Sequence, residues 1–188
     1  MQKGDLRVQR TQFLIVDAFE KLLKEKPFEK ITVQNIADKA MINRKTYYTY
    51  FYCRSELLEA VCANCFNNLA DALARFEPLE QKNPESFKHA LISVLKTVDG
   101  YSGVYEALLE KYPSPDFEEN IYSILQEYAK SRLKYKTGGT ESAAQAADLR
   151  SAFFSSGFLK ILRLYAKGTY NNGSVAEAMI PFLYGGAL

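Results

Sequence analysis

Two short helical segments separated by three residues constrain this chain more than any other feature. Thr32 can cap a helix running from Val33 to Lys39, with Ile36 and Ala37 facing inward. Met41, Ile42 and Asn43 then break the pattern, and Asn43 can cap a second helix, Arg44 to Tyr50. A longer brace precedes them. Leu14, Ala18 and Leu22, with Ile15, Phe19 and Leu23, repeat at the i, i+4 spacing of one buried stripe that ends near Lys26-Pro27. Two short helices joined by a tight turn and braced by a longer one meet the physical requirement for a helix-turn-helix.

Helix signals continue to the end of the chain, and strand signals do not appear. A helix from Arg54 to Phe76 runs along Leu58, Val61, Cys65, Leu69 and Phe76. Asn83-Pro84 and Ser114-Pro115 each set a capping side chain before a proline at the first helical position. Gly138-Gly139-Thr140 separates a helix ending near Lys136 from a long one, Ser142 to Lys167, which Gly168 can close in a left-handed cap. Ser174-Val175-Ala176-Glu177 reads as a capping box for a last helix through Tyr184. The expected fold is all-α, with eight or nine helices, no internal repeat and two units, 1–53 and 54–188. The 54–76 helix carries the seam between them.

Composition mainly excludes. The net charge is +2, with eleven lysines and arginines against eight acids in residues 1–60, a weak basic bias at the front. No stretch approaches the roughly 20 apolar residues that span a bilayer, and no signal-peptide core is present, so a cytoplasmic protein without a membrane partner is expected. Cys53, Cys62 and Cys65 are an odd number, against a disulfide framework. Cys62 and Cys65 form a C-x-x-C in mid-helix with no second pair, and His89 is the single histidine, so the paired spacing of a tetrahedral zinc site is missing. No H-E-x-x-H and no phosphate-cradling glycine run occurs, so neither an enzyme nor a cofactor or metal site is expected.

The second short helix carries the chemistry. Arg44 and Lys45 stand at its amino end, where side chains reach base edges or phosphates. Tyr47 could lay its ring on thymine methyl groups, Thr46 and Tyr48 offer hydroxyls to phosphate oxygens, and Phe51 turns back to the core. Tyr47, Tyr48, Tyr50, Phe51 and Tyr52 are nearly consecutive, so one face cannot bury them all and at least two are exposed.

Thr32-Val33-x-x-Ile36-Ala37-x-x-Ala40-x-Ile42-Asn43-x-x-Thr46-Tyr47-Tyr48-x-Tyr50-Phe51, followed by Arg54-x-Glu56-Leu57-Leu58, resembles the signature of the TetR/AcrR family over residues 7–62. The resemblance implies an N-terminal three-helix DNA-binding domain and a C-terminal domain that dimerises and often takes a ligand. It places Thr32, Tyr48 and Arg54 where the family contacts phosphates, and Arg44, Lys45 and Tyr47 where it reads bases. Two positions depart from the pattern. Met41 stands where the family usually has a glycine, at a cost of about 1 kcal/mol if the backbone is left-handed there. Cys53 stands where Ser, Asp or Asn usually caps the next helix.

The C-terminal region offers less. Phe153, Phe154, Gly157 and Ile161, with Met179 and Phe182, alternate bulky and small residues on the last two helices, as a four-helix dimer interface would need. Tyr101, Tyr105, Phe117 and Tyr122 collect where a small-molecule effector could bind. The function expected is a regulator, a repressor, that binds a palindromic double-stranded operator as a homodimer and is released by such an effector. The alternative keeps the fold but makes the chain a coactivator or adaptor for a protein partner.

Overall fold

The computed structural model describes residues 3–75, 84–134 and 141–183, less the side chains of 3–5, 87, 132–134, 143, 182 and 183. Among these residues the chain forms nine α-helices and no strand: α1 (Lys3–Glu25), α2 (Val33–Lys39), α3 (Arg44–Tyr47), α4 (Arg54–Ala74), α5 (Pro84–Asp99), α6 (Ser102–Glu106), α7 (Pro115–Lys134), α8 (Glu141–Ala166) and α9 (Asn172–Leu183). The all-α expectation holds. Phe76, Lys136, the Gly138-Gly139 break and Tyr184 lie outside the described residues.

One hydrophobic core runs through the molecule. Ile15, Phe19, Leu22 and Leu23 of α1 enclose Ile36 of α2 and Tyr47 of α3. Leu57, Val61, Cys65 and Leu69 of α4 continue that core into the larger helical body. There Leu91 and Val94 of α5, Ile121 and Leu125 of α7 and Phe158 and Leu162 of α8 complete it. Helix α4 is thus wall to both parts, with Leu57 fully buried and Leu58 only half-buried. Its partners Cys62 and Cys65 are packed, not poised: burial pushes the Cys62 thiol up to about 12 and raises that of Cys65 as well.

Local signals placed most of the helix ends. Gly168 takes φ +72° and closes α8. Ser114 Oγ accepts from the Phe117 amide at the start of α7. The start of α9 differs from the expected capping box. Asn171 Oδ1 accepts from the Ser174 amide, so the helix opens three residues earlier, and Glu177 pairs with Lys88 of α5 instead of reaching back. The Asn171 cap is local, whereas the loss of Glu177 from the box is tertiary, since α9 packs on α5.

The joint between α1 and α6 carries no sequence signal. After α6 the chain widens into a π-helical turn, Ala107–Lys111. From it Lys111 Nζ donates to the Lys24 carbonyl (3.2 Å), and the Tyr112 hydroxyl reaches the Glu25 carbonyl (3.5 Å), so the last turn of α1 is satisfied by the opposite unit. Gly103 lies against α1 so closely that an added Cβ would sit 3.0 Å from the Glu20 carbonyl oxygen.

Candidate nucleic-acid interface

Helix α2 starts from a reciprocal cap. Thr32 Oγ1 accepts from the Asn35 amide, and Asn35 Oδ1 accepts from the Thr32 amide, each at 3.1 Å. Lys26 Nζ also donates to Asn35 Oδ1 at 2.7 Å. Asn43 Oδ1 likewise accepts from the Lys45 amide at 2.7 Å to start α3. Between them Met41 adopts φ +53° and is 88% exposed, so a side chain occupies the left-handed position that glycine suits best. Helix α3 is one turn long. Beyond it the chain continues as turns to Tyr50, with the Tyr50 amide donating to the Tyr47 carbonyl.

That short helix sorts its residues by angle. Arg44, Lys45, Tyr48 and Thr49 are exposed. At 100° per residue they span one outer face, and Tyr47 falls about 130° from its centre. Tyr47 is accordingly 0% exposed. Its hydroxyl donates to the Cys53 carbonyl (3.1 Å), its ring meets Tyr48 and Phe51, and burial pushes its phenol pKa up. The assignment of Tyr47 to thymine methyls is therefore corrected: it is the core pin of this unit. Thr46 is half-buried, while the exposed pair required by the aromatic run is Tyr48 and Tyr52.

Arg54 also departs from expectation. One guanidinium nitrogen donates to both the Phe28 and Ile31 carbonyls, and the guanidinium lies 4.6 Å from the centre of the Phe28 ring. It latches the α1–α2 loop to the start of α4, so it is a structural tie before it is a phosphate donor. Cys53 supplies no side-chain cap, and Glu56 instead accepts from the Tyr52 amide.

Thr32, Gln34, Arg44, Tyr48, Tyr52 and Arg54 line one open groove between α2 and α3, with Glu29 at its edge. Gln34 and Tyr52 were not singled out from sequence. Only their exposure beside Arg44 marks them, and a one-dimensional pattern does not show it.

The other expected sites fare unevenly. Phe153 is 72% exposed, and Gly157 has open space where a Cβ would go, with Leu149, 74% exposed, on the same stripe of α8. Phe154 instead turns inward, stacking on Phe158 and meeting Tyr128. Ile161 and Met179 are half-buried against the protein's own core, and the Phe182 side chain lies outside the described residues. Tyr105 and Phe117 pack edge to face in the core at 5.6 Å, so they are not walls of an open pocket. Tyr101 accepts a hydrogen bond from Asn68, and Tyr122 lines a separate groove between α7 and α8. His89 is exposed beside Glu85.

This arrangement defines a helix-turn-helix unit fused to a larger all-helical body. Residues 15–61 match the family described as bacterial regulatory proteins, tetR family. The match lies within the N-terminal helix-turn-helix unit, which is similar to that of this family of regulators. It is 37% identical over 59 residues to the HTH-type dhaKLM operon transcriptional activator DhaS of Lactococcus lactis, a segment covering 31% of this chain and 32% of that relative. The match thus spans about a third of the relative's length. Among solved structures, the dihydroxyacetone kinase operon activator DhaS superposes with a TM-score of 0.62 at 18% identity, covering 93% of this chain and 94% of that one. A TetR-like transcriptional regulator from Rhodococcus sp. RHA1 gives 0.67 at 20% identity, covering 96% and 95%. Both show a shared fold. No described helix is long and apolar enough to cross a membrane.

Proposed function

We propose that this protein is a DNA-binding transcriptional regulator that grips a palindromic duplex operator in the cytoplasm as a homodimer. The observation that carries the reading is the outer face of α2 and α3: Thr32, Gln34, Arg44, Lys45, Tyr48 and Tyr52 form one basic, hydroxyl-rich surface. Exposed tyrosines beside cations suit a phosphate backbone and base edges. A two-fold dimer would set two such faces about 34–36 Å apart, one helical turn of DNA.

The exposed Leu149–Phe153–Gly157 stripe supports α8 as the self-association surface. The hydroxyl of Tyr105, buried without a partner among the described residues, supports an effector whose entry opens this closed core and supplies a polar atom to it. The relatives named as activators support activation, and not the repression expected from sequence, as the sign of regulation.

Sequencing the fragments that the protein retains from its own genome tests the central claim. Recovery of palindromic sites is the expected result. A protein that retains no duplex, yet captures a protein partner, overturns the claim in favour of the adaptor reading. Sedimentation of a monomer at micromolar concentration would remove the dimer.

A further inference from the structure

We propose that Arg44 and Tyr48 form a clamp for one DNA phosphate, so that Arg44 grips the backbone and leaves base reading to its neighbours. The proposal deepens the DNA-binding reading and rests on it. Arg44 donates from one terminal nitrogen to the Tyr48 hydroxyl at 3.0 Å, and its guanidinium lies 5.5 Å from the centre of the Tyr48 ring. The fork is therefore folded back along its own helix by one turn. An arginine that reads guanine must instead extend its fork to the base edge.

The pairing sets up both partners for an anion. A phenol that accepts from Arg44 directs its own proton away from the guanidinium, and Tyr48 donates to nothing else among the described residues. The remaining N–H groups of Arg44 stay available, in the planar array that matches phosphate oxygens. The clamp is also rigid. The Tyr48 ring stands edge-on to Tyr47 at 5.7 Å, and Tyr47 is buried and tied to the Cys53 carbonyl. Across the groove, Thr32 Oγ1 is fixed as a cap and keeps its proton for a second phosphate oxygen. Arg54 is turned toward the loop carbonyls, which leaves Arg44 as the groove's free cationic fork. Lys45, one residue on, is exposed with no side-chain partner among the described residues, and it takes the base edge.

Salt dependence separates a phosphate grip from base reading. Wild-type protein, Arg44→Ala, Arg44→Lys and Tyr48→Phe would be titrated against duplexes that the wild type selects from a random-sequence library. Single-base variants of those duplexes would be titrated alongside. Arg44→Ala should weaken binding about tenfold or more on every duplex alike. It should also flatten the plot of log affinity against log salt by about one unit per protomer. Arg44→Lys should keep the slope yet lose affinity, because an ammonium cannot fork. Tyr48→Phe should keep the slope and lose less, and the double variant should bind no worse than Arg44→Ala alone. An unchanged slope with relaxed preference at one base pair per half-site would overturn the clamp while leaving DNA binding intact. A wild type that selects no duplex would overturn both. Both residues are exposed, and circular dichroism would check that each variant is folded.

Discussion

Among the described residues the helix-turn-helix unit and the helical body each bury one tyrosine completely, and they treat its hydroxyl in opposite ways. Tyr47 is 0% exposed and donates to the Cys53 carbonyl. Tyr105 is equally buried, packed edge to face on Phe117, yet its hydroxyl has no partner among the described residues. The small unit has few apolar residues to spend on its core, so polar atoms lock it: the Thr32–Asn35 cap, the Arg54 latch and the Tyr47 bond. The larger body has polar ties too, such as Tyr165 to Asp99 and Lys88 to Glu177, yet among the described residues it leaves the Tyr105 hydroxyl unanswered at the centre of its apolar packing.

The largest test of this contrast is Tyr47→Ala, which should cost about 3–5 kcal/mol in chemical denaturation because it empties the centre of a small core. A loss below about 1 kcal/mol would mean that the unit does not hang on this residue. The paired hydroxyl deletions should then differ in sign. Tyr47→Phe removes a satisfied bond and should destabilise by about 1 kcal/mol, while Tyr105→Phe removes an orphaned group and should stabilise by about 1–2 kcal/mol. Equal effects would erase the distinction.

A third test addresses the joint between the two regions. Burial raises the carboxyl of Glu20, on α1 facing α6, from 4.5 to about 7, with Lys24 opposing and Asp17 adding to the shift. The folded state then holds a proton that the unfolded state releases, so this contribution is full below pH 4.5 and is lost as the pH rises to about 7. Partial exposure limits it to about 1 kcal/mol. Glu20→Gln should flatten stability against pH across that window, and a profile that keeps its slope would remove Glu20 as the cause. The smallest effect is expected at Met41. Relieving its left-handed backbone with glycine should raise stability by about 0.5–1 kcal/mol, less than the steric cost alone because glycine also frees the unfolded chain. A lower melting temperature for Met41→Gly would show that the exposed side chain earns its place.

The same contrast explains what was legible in the sequence. Thr32, Asn43, Gly168 and the Met41 turn could be read because caps and turns are set by residues within four positions of one another. The site could be located for the same reason. Roles inside it could not all be read. An aromatic run shows that some rings are exposed, but which ones depends on where α3 stops, and it stops after one turn at Tyr47. Arg54 looked like a phosphate donor because its partners, the carbonyls of Phe28 and Ile31, lie more than twenty positions away and carry no side-chain signal. In the body, Phe153 and Phe154 are adjacent letters about 100° apart on α8, one exposed and one half-buried. Only packing between α7 and α8 separates them.

The way α1 ends bears on how such proteins can be recombined. Its final carbonyls are met by Lys111 and Tyr112, and its flank takes Gly103 at backbone distance. A fragment cut after residue 53 would lose those donors and the α4 wall together. A chimera that transplants only the N-terminal unit onto a foreign body would expose the same broken end. The portable cassette for engineering a new sensor is therefore discontinuous: the reading head, α4, and the 103–112 stretch that closes the end of α1.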